Sequence, residues 1–247
     1  MKPLLSALLL ALAVSTNAAE TILVVGDSHT VGAFGQTIDD TLRAAKGNRV
    51  ATYGVCSSRP QSYLSETSHG CGHLFRDFDK KAPAKWLGAR VYKESRSDGK
   101  GGTREVEMVK TPELAQLLTD HTPTVVIVAL GSNLPISASS VQKTLELVHK
   151  TGAACLWVGA PDMRNPTRAQ VDKVYETLAA NKVGASVTLE AAKKDSCKLI
   201  DSREFPFLKY PETGGGSGGT HYDGKLWPVG VKWGAAAGEA ALKILAP

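Results

Sequence analysis

After its first nineteen residues the chain has no apolar run long enough to cross a membrane. It has no basic run either. Lysines are interspersed with carboxylates, and the net charge is +5, or +4 without Lys2. Nothing there tracks a phosphate backbone, so a nucleic-acid partner is disfavoured. No internal repeat is visible, and cysteine is sparse, with four in the whole sequence. None of them directly follows the N-terminal apolar stretch, which argues against a lipid anchor.

That stretch has the form of an export signal. Lys2 supplies the positive start, Leu4–Val14 the apolar segment, and Thr16-Asn17-Ala18 or Asn17-Ala18-Ala19 a small-residue cleavage site. The expectation is a signal peptide at 1–19 and one exported domain at 20–247, periplasmic or secreted and not inserted in a membrane. An even number of cysteines in an oxidising compartment favours two disulfides. Cys155 and Cys197 each open an apolar strand, and neighbouring parallel strands would bring them together. Cys56–Cys71 would then close a loop, although three pairings are possible. His69-Gly70-Cys71-Gly72-His73, with Cys56 upstream, also has the donor types of a zinc site. The disulfide reading is preferred because exported thiols pair with each other, and no metal is expected.

Strand and helix patterns alternate, which predicts a parallel, doubly wound α/β sheet. Strands are expected at Thr21–Val25, Arg49–Tyr53, Thr124–Leu130, Cys155–Val158 and Cys197–Ile200. Helices are expected at Phe34–Ala45, Pro112–Thr119, Ser139–Lys150, Thr167–Asn181 and Val229–Leu245. Thr111 before Pro112 reads as a helix cap. The last helix, rich in alanine and glycine, is expected to pack closely on the sheet. Residues 59–110 depart from the alternation. Within them Ala89–Glu94 and Arg104–Val109 alternate around a glycine-rich turn and read as an inserted hairpin. A second glycine run, Gly214–Gly219, leads into His221 and reads as a bent loop holding that histidine.

Chemistry-bearing residues stand at the strand ends. Gly26-Asp27-Ser28-His29-Thr30 follows the first strand, Gly54 ends the second, and Gly131-Ser132-Asn133 follows the third. His221 lies in Gly219-Thr220-His221-Tyr222-Asp223 near the C-terminus. A Ser, a Gly, an Asn and a His in this order resemble the SGNH (GDSL-like) hydrolases over nearly the whole chain after residue 19. The resemblance implies a three-layer α/β/α, flavodoxin-like fold with a five-stranded parallel sheet. It also implies a serine esterase without a cofactor. Ser28 would be the nucleophile and His221 the base. The N–H groups of Ser28 and Gly54 and the Asn133 amide would be the oxyanion donors.

The family pattern places an aspartate three residues before the histidine, and Gly218 stands there instead. Asp201, Asp162 or a backbone carbonyl could orient His221. Asp201 is the candidate carboxylate, and the carbonyl is narrowly preferred. Asp223 is expected to point away, Asp27 to fix the Ser28 turn, and His29 to line the rim. His121 and His149 read as surface or helix-end residues. The expected substrate is an O-acetyl ester on cell-wall glycan or another polysaccharide. A lipase or thioesterase, an inactive carbohydrate-binding module and an O-acyltransferase are the alternatives.

Overall fold

The computed structural model describes residues 19–45, 47–78, 90–211 and 216–246. The export segment, apart from Ala19, lies outside the described residues, as do Ala89 of the expected hairpin and Gly214 and Gly215 of the glycine run. In chain order the strands are β1 (Thr21–Gly26), β2 (Arg49–Val55), β3 (Ser68–His69), β4 (His73–Arg76), β5 (Val91–Ser97), β6 (Thr103–Lys110), β7 (Val125–Ala129), β8 (Ala154–Val158), β9 (Val183–Gly184) and β10 (Cys197–Ile200). The helices are α1 (Ser28–Val31), α2 (Ala33–Ala44), α3 (Leu114–His121), α4 (Ala138–His149), α5 (Arg168–Ala180), α6 (Leu189–Ala192) and α7 (Trp227–Leu245).

All five expected strands form, and they are parallel neighbours in the order β2-β1-β7-β8-β10. Their apolar runs are continuous because both faces of the sheet are covered. Leu23, Val126 and Trp157 pack on one side with α3, α4 and α5. Ile22, Ile127 and Leu156 pack on the other with α2 and α7. The sheet has seven strands, however, and not five. β4 adds antiparallel to β2 at one edge, and β9 adds parallel to β10 at the other. With four residues and two, neither carries enough periodicity to be recognised.

The expected hairpin is β5–β6, paired from Val91↔Val109 to Ser97↔Thr103, and β3 joins it in a separate three-stranded sheet. Because β4 belongs to the central sheet, residues 59–110 are not wholly an appendage. Helix α3 begins at Leu114, two residues later than expected. Thr111 does not cap it, since its hydroxyl donates to Thr67 O at 2.9 Å. Both disulfides pair as expected, Cys56–Cys71 and Cys155–Cys197. The first takes both sulfurs out of the zinc donor set considered above.

Helix α7 makes its closest approach to α2. A Cβ on Gly234 would lie 2.4 Å from Phe34 O, and one on Gly238 would lie 2.8 Å from Thr41 Cγ2. The glycines therefore serve a helix–helix contact, while Trp233, Ala237 and Ala241 face the sheet. Gly234→Ala gains helix propensity but forces the two backbones apart. A net loss of about 1–3 kcal/mol is expected in urea unfolding. A stabilised variant would show that α2 and α7 are not in such close contact.

Candidate active site

The end of β1 is built to present Ser28. Gly26 has no room for a side chain, because a Cβ would meet Thr30 Oγ1 at 1.8 Å. Asp27 caps α1 by accepting from the His29 N–H at 3.0 Å. Its other oxygen accepts from the Ser132 hydroxyl at 2.5 Å and the Ser132 N–H at 3.4 Å, which ties this turn to the loop after β7. Ser28 follows as the first helical residue. It is half-buried, and it lines a cleft of about 340 Å³ together with His221 and Trp227. The Cys56–Cys71 disulfide forms part of the same wall.

His221 comes from the loop before α7. Its Nδ1 lies 3.2 Å from Ser217 O and 3.1 Å from Ser217 Oγ, and among the described residues no hydrogen bond engages Nε2. The loop is clamped from outside. Arg164 N and Asn165 N both donate to Gly219 O, at 3.0 and 2.9 Å. Gly218 and Gly219 sit at φ +68° and +73°, a region in which side chains are strained. An aspartate at 218 would carry that strain, so restoring the family pattern is not a neutral change here.

Asn133 is also half-buried, and its Nδ2 donates to Ser58 O at 3.1 Å. One amide hydrogen is used in this way, and among the described residues no bond engages the other. The Asn133 loop is thereby fixed to the turn after β2.

Two expected site residues have other duties. The Gly54 N–H belongs to the sheet. Gly54 stands opposite Leu74, and Cys56, two residues on, bonds Gly72 across the same ladder. The two-residue alternation of an antiparallel pair then aims the Gly54 N–H at β4. Gly54 is a glycine for packing, since a Cβ would come within 2.9 Å of Thr30. In the adjoining turn Ser57 adopts φ +62°, and its N–H joins no hydrogen bond among the described residues.

Asp201 is held by Arg203. The Arg203 Nη2 donates to Oδ2 at 2.6 Å, and Nε and the backbone N–H donate to Oδ1 at 3.0 and 2.9 Å. Burial alone would raise the Asp201 carboxyl, but these donors hold it below the usual range. Among the described residues no hydrogen bond joins it to His221, and its oxygens are engaged by Arg203 instead. Asp201→Asn should therefore change kcat less than about 3-fold while lowering stability by about 1 kcal/mol, because the Arg203 guanidinium loses its carboxylate here but keeps Asp172 at 3.1 Å. A fall of several orders in kcat would reinstate the triad. Asp162 is engaged elsewhere too, with Arg168 at 3.7 Å.

His29 lines the same cleft as Ser28, but from its floor and not from an open rim. It is 6% exposed, its Nε2 is buried without a partner, and its ring lies 5.1 Å from Trp233 and 5.6 Å from His221 between centroids. Burial lowers its pKa to about 4, opposed by Asp27 and aided by His221. The unfolded imidazole takes up a proton below its ordinary pKa near 6.5, and the folded one resists until about 4. His29 thus contributes stability that is complete above pH 6.5 and lost as pH falls towards 4, about 3 kcal/mol in all. In His29→Leu the difference in unfolding free energy between pH 7 and pH 4 should shrink by that amount. An unchanged difference would mean that His29 is charged in the fold. His121 is likewise buried, with its Nε2 2.8 Å from Tyr53 Oη, and His149 Nε2 lies 2.8 Å from Ser196 O.

Sequence reasoning missed Ser217, which looked like a spacer in a glycine run, and Trp227, an aromatic 41% exposed at the cleft. A lone hydroxyl among glycines four residues before the histidine was the available signal for the first.

No protein-family model matches the sequence, and no curated protein matches it. Solved structures do. TesA covers 90% of this chain and 99% of its own at 14% identity, with a TM-score of 0.48. A peptidoglycan O-acetylesterase aligns over 92% of this chain and 91% of its own at 13% identity, with a TM-score of 0.48. The psychrotrophic esterase EstA from Pseudoalteromonas sp., inhibited by monoethylphosphonate, aligns over 91% and 99% at 12% identity, with a TM-score of 0.51. At such identities the likeness is one of fold, and EstA carries it: the chain has the three-layer α/β/α, flavodoxin-like fold of the SGNH hydrolases.

Proposed function

We propose that the chain is an exported SGNH-type serine esterase, with Ser28 as nucleophile and His221 as base. One observation carries the reading: the end of β1 and the loop before α7 bring Ser28 and His221 from opposite ends of the sequence into one cleft. His221 binds through Nδ1, which leaves Nε2 to accept the Ser28 proton. Ser28 Oγ attacks the ester carbonyl. The oxyanion is met by the Ser28 N–H, which has no intrahelical acceptor, and by the free hydrogen of Asn133 Nδ2. Collapse releases the alcohol, protonated by His221, and water then attacks the Ser28 acyl ester with His221 as base. A third donor on the β2 side would come from the turn at Ser57, because the Gly54 N–H is committed to β4.

The proposed substrate is an O-acetyl ester on cell-wall glycan or another polysaccharide. Support comes from the modest volume of the cleft and from Trp227, whose exposed face offers a flat, amphipathic surface to a sugar ring. Among the described residues the β5–β6 hairpin contributes none to the lining of the cleft. The test compares p-nitrophenyl acetate, butyrate and octanoate, with phosphonate labelling mapped to Ser28 and acetate release measured from acetylated glycan. A steep preference for acetate and labelling of Ser28 are expected. Preference for octanoate would make the protein a lipase or thioesterase. Acetyl transfer to an added sugar without free acetate would make it an acyltransferase. Absence of both turnover and labelling would leave a carbohydrate-binding module.

A further inference from the structure

The base of a serine esterase works best when its second ring nitrogen is held by an acceptor, and the usual carboxylate position is occupied by Gly218. Asp223, two residues after the histidine, does not touch the ring. Its carboxylate accepts twice from Ser217, from the N–H at 2.8 Å and from the hydroxyl at 2.5 Å. The same Ser217 Oγ lies 3.1 Å from His221 Nδ1. A hydroxyl has one proton and a carboxylate has none to give. The Ser217 proton therefore points at Asp223, in a short charge-assisted bond, and the Oγ lone pairs face Nδ1. Nδ1 must then carry the ring proton, which it shares between Ser217 Oγ and Ser217 O. Nε2 is left as the free base.

We propose that Asp223 is the orienting carboxylate of this site and acts on His221 through the hydroxyl of Ser217. The inference rests on the reading of His221 as the base. The loop is shaped for this chain of contacts. A Cβ on Gly216 would lie 1.9 Å from His221 O and 2.3 Å from Asp223 Oδ1, so glycine is required where the strands of the loop cross. Tyr210 closes the crossing by donating to Gly216 O and His221 O at 3.1 and 3.2 Å. Burial works against the Asp223 charge, yet the Ser217 donors and His221 together hold its carboxyl below the usual range. No proton passes along the chain. When Nε2 takes the Ser28 proton, the imidazolium keeps its N–H on Ser217, and the polarised hydroxyl conveys the field of the carboxylate to it. Ser217 and Asp223 are positioning residues and touch no reacting atom.

Four variants test the proposal through kcat and KM for p-nitrophenyl acetate across pH: Ser217→Ala, Asp223→Asn, their double variant and Ser217→Thr. Ser217→Ala removes the hydroxyl but keeps the Ser217 N–H bond to Asp223, so it spares the role of Asp223 as a brace for the loop. Ser217→Ala and Asp223→Asn should each lower kcat by about 10- to 100-fold with KM nearly unchanged. The loss stays below the roughly 10⁴-fold cost of a wrong tautomer because Ser217 O still holds Nδ1. The acidic limb of kcat/KM should move to lower pH in both. The double variant should cost no more than the larger single loss, and Ser217→Thr should restore most of kcat. Other groups near the ring are common to all variants: His29 from α1, Tyr222 beside it, and Arg164 and Tyr210 along the loop.

A Ser217→Ala enzyme with unchanged kcat and acidic limb would overturn the proposal, as would multiplicative losses in the double variant. If Asp223→Asn alone loses activity, in step with its thermal stability, Asp223 is only a brace and the proposal also falls. Phosphonate labelling of Ser28 in the unaltered protein reports separately on the esterase reading. Should that fail, the His221 ring titration followed by NMR still decides. The titration should move to lower pH in both single variants, and no movement refutes the contact.

Discussion

Ser28→Ala is expected to abolish ester turnover, lowering kcat by about four to six orders of magnitude. Stability should stay within about 0.5 kcal/mol of the unaltered protein. The two effects separate because the Ser28 hydroxyl has no structural partner: among the described residues its Oγ makes no hydrogen bond, and the cap of α1 belongs to Asp27. Alanine at the first helical position is tolerated, so the turn that joins β1 to α1 survives the change. The network from Asp27 to Ser132 is also untouched, and the Asn133 loop keeps its place. Phosphonate labelling should vanish along with turnover. A variant that keeps more than about a tenth of kcat would remove Ser28 from the role of nucleophile. A variant that loses activity only because it unfolds would show that the hydroxyl holds the turn after all.

The central sheet was legible because its strands are covered on both faces. A run such as Val125–Leu130 has few other ways to bury six apolar residues at once. The edges were not legible. β4, His73–Arg76, alternates too briefly to register, and its partner β2 lies on the far side of a disulfide-closed loop. The cysteine pairing was preferred among three on an expected oxidising compartment and on strand adjacency, and the structure has that pairing. The roles of individual polar groups were harder, because they depend on competitors. Asp201 stands at the right strand end for an orienting acid, but Arg203, two residues on, claims both of its oxygens. Asp223 makes no direct hydrogen bond to the His221 ring among the described residues, and the Ser217 hydroxyl that lies between them sits inside a glycine run. Gly54 illustrates a different limit. A glycine at a strand end is equally consistent with substrate access and with a helix packed over it, and Thr30 lies close enough for packing alone to require the glycine.

Asn133→Ala should lower kcat by about two to three orders of magnitude with little change in KM, as expected for a donor engaged mainly in the transition state. The Nδ2 bond to Ser58 O gives this side chain a structural duty as well, since it fixes the loop after β7 to the turn after β2. Loss of that bond should cost about 1 kcal/mol in unfolding free energy, far too little to account for the rate. Asn133→Asp sharpens the comparison. It keeps the shape of the side chain, removes both donor hydrogens and places negative charge where the oxyanion forms, so kcat should fall at least as far as in the alanine variant. Loss confined to KM in both variants would make Asn133 a ground-state binding residue. Full activity in either would leave the Ser28 N–H and the turn at Ser57 to stabilise the oxyanion between them, which places the whole electrostatic load on backbone donors.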